Sequence, residues 1–107
     1  MERRPARHIY VIKLSKGVLK KKKFVERNPN YDGSKWCVYV GLTGRSPEER
    51  FAQHKAGVKS CSYVKRFGKR LIPGLGRRTR KGHRKALRLE RELAARLREE
   101  GFAVWQG

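Results

Sequence analysis

The stretch KWCVYVGLTGRSPEERFAQHKAG, residues 35–57, contains two consecutive structural elements and the turn that joins them. Its first part, WCVYVGL at residues 36–42, is rich in β-branched and aromatic side chains, which favour a strand. The letters SPEE that follow are typical of a helix start, because Ser46 can cap the helix and Glu49 completes a capping box. Gly57 is expected to end that helix. The stretch therefore predicts a strand followed by a helix.

The segments on either side of this stretch add further strands and helices. HIYVIKL, residues 8–14, predicts a strand that pairs with the first one. Between the two, residues 15–35 combine a lysine run with Asn-Pro-Asn and Asp-Gly turn signals, so a long, basic, solvated and partly mobile hairpin connection is expected. A short helix over residues 60–67 and a third strand in KRLIPGL, residues 69–75, are expected next, the strand being cut off by its proline.

The C-terminal part of the chain carries the strongest periodicity. Apolar residues recur at spacings of three and four and predict a helix with a clear core face: Ala86, Leu89, Leu93 and Leu97. The tail FAVWQG, residues 102–107, can add a short last strand. A chain of 107 residues has room for one domain with a modest core, so residues 1–107 are expected to form a single domain.

The chain is strongly basic, and this favours a negatively charged binding partner. Its 29 lysines and arginines stand against nine acidic residues and give a formal net charge of +20. Self-repulsion of this size is usually neutralised by a polyanion, so nucleic acid is the leading partner and an acidic protein is a weaker alternative. The candidate contacts to nucleic acid are the following basic residues: Lys20, Lys21, Lys22, Lys23, Lys55, Arg77, Arg78, Arg80 and Lys81.

Other classes of protein receive no support from the sequence. No run approaches the roughly 20 apolar residues of a membrane-spanning helix, and residues 1–10 lack the apolar core of a signal peptide. A cytoplasmic location without a membrane partner is therefore expected. Cys37 and Cys61 form neither a C-x-x-C pair nor a metal-ligand spacing, so both are expected to be reduced.

Two residues of the predicted helix after Ser46 could act on one ligand. Arg50 and His54 are four positions apart and project from the same side of a helix. Arginine presents a planar fork to phosphate oxygens and histidine exchanges protons near neutral pH, so the pair suits phosphodiester chemistry. On spacing alone, two solvated side chains on an exposed helix face are the commoner explanation.

Glu90 stands out among the few acidic residues. Glu92 has Arg88 and Arg96 four positions away as expected ion-pair partners, whereas the corresponding neighbours of Glu90 are apolar or small. A carboxylate beside the core face is costly unless a divalent metal or a residue of another element compensates it. Otherwise Glu90 bends out to water or pairs with a distant arginine. Tyr10 and Tyr39, on the two predicted strands, are by default core residues with bonded hydroxyls.

The ordered set of Tyr10, Tyr39, Arg50, His54 and Glu90 resembles the motif residues of the GIY-YIG nuclease family. HIY at residues 8–10 is similar to the first motif of that family and YVG at residues 39–41 to the second. TGRSPEERFAQHKAG resembles the segment that follows, and ALRLERELAARL resembles the helix with the metal-binding glutamate. His8 stands in place of the glycine of the first motif, the connection between the motifs is longer than usual, and FAVWQG contains no counterpart of a tail asparagine found in many members.

The resemblance implies an α/β (α+β) fold with a small three-stranded antiparallel sheet flanked by helices. It also implies a metal-dependent endonuclease that uses one Mg²⁺ or Mn²⁺ ion, with the catalytic residues Tyr10, Tyr39, Arg50, His54 and Glu90. DNA is expected as the substrate rather than RNA. Glu90 would hold the metal, Arg50 a phosphate oxygen, and Tyr10 would be the base or its relay, helped by Tyr39 or His54. A protein partner could supply target specificity. The alternative is a basic nucleic-acid-binding protein without catalysis, including a family member that binds but does not cut.

Overall fold

The computed structural model describes residues 6–107. Within them it contains five strands: β1 (Arg7–Leu14), β2 (Cys37–Thr43), β3 (Gly68–Leu71), β4 (Arg77–Thr79) and β5 (Ala103–Gln106). Four α-helices accompany the sheet: α1 (Lys22–Glu26), α2 (Pro47–Ala56), α3 (Ser62–Phe67) and α4 (His83–Glu99). Residues 1–5, which belong to the segment considered for a signal peptide and to the predicted single domain, lie outside the described residues.

The strands form one mixed sheet, and this confirms the expected combination of a small sheet with flanking helices. β1 and β2 are antiparallel neighbours, and Tyr10 lies opposite Gly41 in their register. The tail forms a strand as expected, and it pairs with β2 in parallel. Both β3 and β4 pair antiparallel with β1, along successive parts of that strand. The sheet is therefore larger than the three antiparallel strands that the family resemblance implies.

The third predicted strand is divided in two. β3 ends at Leu71, and a turn of 3₁₀ helix at Pro73–Leu75 leads into β4. The N–H of Ile72 still donates to the carbonyl of Val11 at 2.8 Å, but proline has no N–H with which to continue the ladder. The proline thus ends one strand and the turn starts another on the same edge of β1.

Side chains on the two faces of the sheet belong to two apolar clusters. Tyr10, Ile12, Leu14, Cys37 and Tyr39 lie on one face and pack with Phe24 and Val64 of the short helices. Ile9, Val11, Val38 and Val40 lie on the other face and pack with Leu93, Ala94 and Leu97 of α4. The alternation along β1 and β2 follows from the two-residue period of a strand.

The connection between β1 and β2 is not the solvated hairpin that its lysines and turn signals predicted. Val18, in a 3₁₀ turn at Lys16–Lys20, and Phe24, in α1, are completely buried. The side-chain amide of Asn28 donates to the carbonyl oxygens of Phe24 at 2.8 Å and Val104 at 3.0 Å, and its Oδ1 accepts from the N–H of Val104 at 2.7 Å. β5 lies at the edge of the sheet, and there the side chain of Asn28 bonds to the backbone N–H and carbonyl of Val104 as a further strand would. These bonds anchor the connection.

The start and end of α2 follow from the sequence. The hydroxyl oxygen of Ser46 accepts the N–H of Glu49 at 3.2 Å, and Gly57 closes the helix with a φ of 86°, in the left-handed region that glycine favours. The carboxylate of Glu49 pairs with Arg45 at 3.6 Å. Within residues 6–107, no helix has both the length and the apolar character needed to cross a lipid bilayer.

Candidate active site

Two tyrosines from neighbouring strands meet above a glycine. The ring centroids of Tyr10 and Tyr39 are 6.0 Å apart. A Cβ atom on Gly41 would lie 2.6 Å from the Tyr10 hydroxyl oxygen and 2.8 Å from Cε2 of Tyr39, far inside contact distance. The glycine of the YVG motif is therefore required by the close approach of both tyrosine side chains to the β2 backbone.

His54 connects α2 to this tyrosine pair. Its imidazole is 1% exposed, and Nε2 lies 2.9 Å from the Tyr10 hydroxyl oxygen. On the other side of the ring, Nδ1 accepts the backbone N–H of Cys61 at 3.1 Å. Since a backbone N–H can only donate, the proton of the neutral imidazole is on Nε2 and is donated to Tyr10. Burial, together with the charge of Arg50, lowers the pKa of His54 to about 4, so the ring is neutral at pH 7.

This arrangement assigns different properties to the three candidate bases. His54 in this tautomer has no free nitrogen to take a proton, so it serves as a donor. Burial raises the pKa of Tyr10, while a hydrogen bond with Tyr39 and the charge of Arg50 act in the opposite direction. Burial, and then the neighbouring Tyr10, raise the pKa of Tyr39. His54, Tyr39 and Arg50 would therefore all stabilise a phenolate at Tyr10.

The loop after α2 fixes the guanidinium of Arg50. Nη1 donates to Oε1 of Gln53 and to the carbonyl oxygen of Val58, both at 3.1 Å. Nη2 donates to the carbonyl oxygen of Lys59 at 2.7 Å, and Lys59 itself has a φ of 42°, which is uncommon outside glycine. The half-buried guanidinium is thus held close enough to Tyr10 and His54 to lower the pKa of both.

Glu90 is a buried residue of α4. Its side chain is 2% exposed, and burial raises its pKa. Among residues 6–107 the ion pairs within 4.0 Å are Arg45–Glu49 and Arg96–Glu100, so Glu90 has none. The charge of Glu90 acts to raise the pKa of Tyr10 and of Tyr39. The structure therefore brings Tyr10, Tyr39, Arg50 and His54 together, and Glu90 acts on the two tyrosines from α4, which packs on the opposite face of the sheet.

The expected ion pairs of Glu92 do not form. Arg96 pairs with Glu100 at 3.7 Å, as the four-residue spacing of those two also allows, and Glu92 is exposed to solvent. Arg96 has an acidic residue four positions before it, Glu92, and another four positions after it, Glu100, and it pairs with the later one.

Gln106 is a site residue that the sequence did not reveal as such. Its Nε2 donates to Oε1 of Glu90 at 2.9 Å and opposes the rise in the pKa of that carboxyl group. Gln106 pairs with Val40, the neighbour of Gly41, so β5 carries the amide to the end of the sheet where the tyrosines lie. The signal was the alternation of the tail, which puts Gln106 on the same face as Val104, toward the helix that carries Glu90.

Only some of the predicted nucleic-acid contacts are near the site. Arg77 and Arg78 are exposed and line a cavity of about 210 Å³ together with His8 and Tyr10. Lys81 is exposed just beyond β4, next to Arg80. Arg77 and Arg78 thus form a basic margin beside Tyr10, and Arg80 and Lys81 follow them along the chain without lining the cavity.

The other predicted contacts lie elsewhere. The ammonium group of Lys55 donates to the carbonyl oxygens of Lys65 at 2.9 Å and Gly68 at 3.1 Å, so it stabilises the end of α3. The lysine run at residues 20–23 does not line the cavity beside Tyr10; Lys20, Lys22 and Lys23 are exposed and Lys21 is half-buried.

The donor set around Glu90 is compatible with one divalent ion. No group of three or more His, Cys, Asp and Glu side chains converges within residues 6–107, so a metal here would have Glu90 as its protein carboxylate. Mg²⁺ is commonly bound by one or two carboxylates together with water and substrate phosphate oxygens. A buried carboxylate without an ion-pair partner fits that pattern.

Comparison with known proteins gave no match: no protein-family model, no curated protein and no solved structure matches the chain.

Proposed function

We propose that this protein is a divalent-metal-dependent endonuclease of the GIY-YIG type that hydrolyses phosphodiester bonds in nucleic acid, with DNA favoured over RNA. One observation carries the proposal: Tyr10, His54 and Arg50 form one cluster, and the buried carboxylate of Glu90 on α4 acts on Tyr10 through its charge. A buried carboxylate and a fixed guanidinium are costly features for a small core, and their presence beside a hydrogen-bonded phenol suits catalysis.

Each residue has a role that follows from its contacts. The guanidinium of Arg50 would bind a non-bridging phosphate oxygen with the N–H groups that the loop carbonyls leave free. Because those carbonyls fix it beforehand, little reorganisation would be needed as charge builds on the phosphate. The basic margin of Arg77 and Arg78 would hold the adjoining backbone.

Tyr10 would act on the attacking water. As a phenolate, its oxygen would accept a proton from water while the water oxygen bonds to phosphorus and the bond to the leaving oxygen breaks. The Nε2–H of His54 would stabilise that phenolate, and Tyr39 and Arg50 favour it too. Burial opposes ionisation of Tyr10, so further positive charge is needed. An Mg²⁺ or Mn²⁺ ion held by Glu90 would supply that charge and stabilise the leaving oxygen.

The second candidate is a protein that binds nucleic acid without cutting it. The net charge of +20 supports binding equally well, and the carbonyls that occupy part of the Arg50 guanidinium leave fewer donors for a phosphate. The two candidates differ in one result, which is the appearance of cleaved strands.

The test is incubation of the purified protein with end-labelled single-stranded, duplex and branched DNA, and with RNA, in Mg²⁺, Mn²⁺ or a chelator. Cleavage products are expected with either ion and not with the chelator, while binding persists in all three and weakens steeply as salt rises. Binding without products on any substrate would leave the non-catalytic protein. Affinity that does not change between low and physiological salt would remove nucleic acid as the partner.

A further inference from the structure

A second basic surface lies on the other face of the sheet, away from Tyr10. Its centre is Trp36, the residue before β2, which is 39% exposed. The Lys13 ammonium lies 4.2 Å from the centroid of the indole ring, and the Arg70 guanidinium carbon lies 5.2 Å from it. We define the Trp36 patch as Lys13, Lys16, Trp36, Lys69 and Arg70.

The Trp36 patch is concave and carries one sign of charge. Its residues line an open depression of about 470 Å³, together with Leu14, Ser15 and Cys37. Four of the eight lining residues are cationic and none is acidic. A depression with walls of one charge concentrates its field and attracts the opposite charge.

The pairing of strands places two of these cations side by side. Lys13 on β1 lies directly opposite Arg70 on β3. Like charges at directly opposed positions destabilise a sheet, and no acidic residue within 4.0 Å compensates either side chain among the described ion pairs. The indole of Trp36 offsets part of this repulsion by cation–π contacts. An anion bound between the two side chains would offset more.

The position of the patch separates it from the catalytic cluster. Lys13 is three residues after Tyr10 on β1, so it lies about 10 Å along the strand and on the opposite face. None of the five patch residues has a role in the proposed hydrolysis. The patch is therefore a feature that the proposed function leaves unexplained.

We propose that the Trp36 patch binds an unpaired strand of nucleic acid, with a base stacked on Trp36 in place of the Lys13 ammonium and the adjoining phosphates bound by Lys13, Lys16, Lys69 and Arg70. The inference rests on the proposed function, because it gives that nuclease a surface for the unpaired part of its substrate. The exposed indole favours an unpaired strand over a duplex, since the base faces of a duplex are already stacked and only an unpaired base can cover the ring.

The binding test uses the fluorescence of Trp36. Of the two tryptophans in the chain, Trp105 is packed against Phe24 and Tyr63, so Trp105→Phe keeps an aromatic ring in the core and leaves Trp36 as the single reporter. This variant is titrated with a dT oligonucleotide and with a blunt duplex of equal length, both in chelator so that nothing is cut. Saturable quenching by the oligonucleotide at lower concentration than by the duplex is expected. Equal response to both would overturn the proposal.

A second measurement uses truncation in the otherwise unchanged protein. Trp36→Ala should weaken binding of the dT oligonucleotide by about 5- to 100-fold, the range for losing one stacked base, and change duplex binding by less than about twofold. Leu87→Ala, which truncates an apolar side chain of similar exposure on α4, should change neither. Oligonucleotide affinity unchanged by Trp36→Ala would overturn the proposal even if the wild-type protein cuts DNA. Quenching of Trp36 in a protein that cuts no substrate would uphold the patch and remove the nuclease.

Discussion

The Nε2 atom of His54 lies 2.9 Å from the hydroxyl oxygen of Tyr10, across 44 positions of sequence, and His54 is the donor in that hydrogen bond. The direction is set by the N–H of Cys61, which occupies Nδ1 and leaves the proton of the neutral ring on Nε2. The phenol oxygen of Tyr10 is therefore an acceptor in the resting protein. This makes His54 a residue that stabilises the phenolate of Tyr10 and leaves the role of base to Tyr10 itself.

The buried, neutral state of His54 should make the protein sensitive to acid. Its pKa is about 4 in the folded chain and about 6.5 when unfolded, so the unfolded chain binds more protons between these values. Stability is then fully present above pH 6.5 and is lost as the pH falls toward 4, by up to about 3 kcal/mol. His54→Gln cannot titrate, although its amide can still donate to Tyr10.

Urea denaturation of both proteins at pH 7.5, 6.0 and 4.5 measures this contribution. The wild-type protein should lose more stability than His54→Gln on acidification. The raised pKa of Glu90 has the opposite sign over part of this range, but it is present in both proteins and cancels in the difference. Parallel stability curves for the two proteins would contradict the assignment of a buried neutral imidazole.

Two glutamates of α4 provide a matched test of the metal site. Glu90→Gln should lower metal-dependent cleavage by about 100-fold or more, the scale of losing one electrostatic contact to a transition state, and should leave DNA binding intact. Glu92 is exposed and forms no ion pair within 4.0 Å, so Glu92→Gln should cleave at nearly the wild-type rate. Gel assays of cleavage and of binding are run on both variants.

The fold of Glu90→Gln is checked separately. Because burial raises the pKa of Glu90, its ionised form costs stability at neutral pH, and a neutral amide should give an unfolding midpoint no lower than that of the wild type. Cleavage at the wild-type rate by Glu90→Gln, with this midpoint preserved, would exclude Glu90 as the metal ligand. Equal loss of cleavage in Glu92→Gln would point to the exposed side of α4.

A methyl group on Gly41 should displace the two tyrosines. Its Cβ would lie 2.6 Å from the Tyr10 hydroxyl oxygen, so Gly41→Ala should cost about 1 to 3 kcal/mol of stability and, through displacement of Tyr10, about 100-fold in cleavage. Gly44→Ala is the control, because nothing lies within 4 Å of its Cβ. Single-turnover cleavage and thermal melting distinguish the two variants, and identical rates would show that Tyr10 tolerates the shift.

Asn28 should be the residue that secures the long connection. Asn28→Leu keeps the volume but removes the partner of the buried N–H of Val104, which should cost about 1 to 3 kcal/mol of unfolding free energy. The carbonyl of Val104 keeps a second donor, Nη2 of Arg98 at 3.0 Å. Asn30→Ala, at an exposed position two residues later, should change stability little. Hydrogen exchange at the amide of Val104 gives the local readout, and protection that persists in Asn28→Leu would mean that another group pairs with β5.

Local patterns in the sequence were sufficient for the elements that depend on neighbouring residues alone. Ser46 and Gly57 bounded α2 because capping needs only a side-chain oxygen and a left-handed turn within a few residues. The apolar spacing of α4 and the β-branched runs of β1 and β2 likewise required no distant contact. The resemblance of the ordered motifs then pointed to Tyr10, Tyr39, Arg50 and His54, which the fold brings together, and to Glu90, whose charge acts on both tyrosines.

Tertiary structure decided the features that depend on contacts across the chain. The lysine-rich connection became an anchored element because Phe24 and Val18 enter the core and Asn28 pairs with Val104, contacts separated by up to 76 positions. Gln106 reached Glu90 because the tail joins β2 in parallel, and a strand pattern does not specify the direction of pairing. The proton of His54 is on Nε2 because the N–H of Cys61, on the next loop, meets Nδ1, and spacing along a helix cannot fix which nitrogen carries a proton.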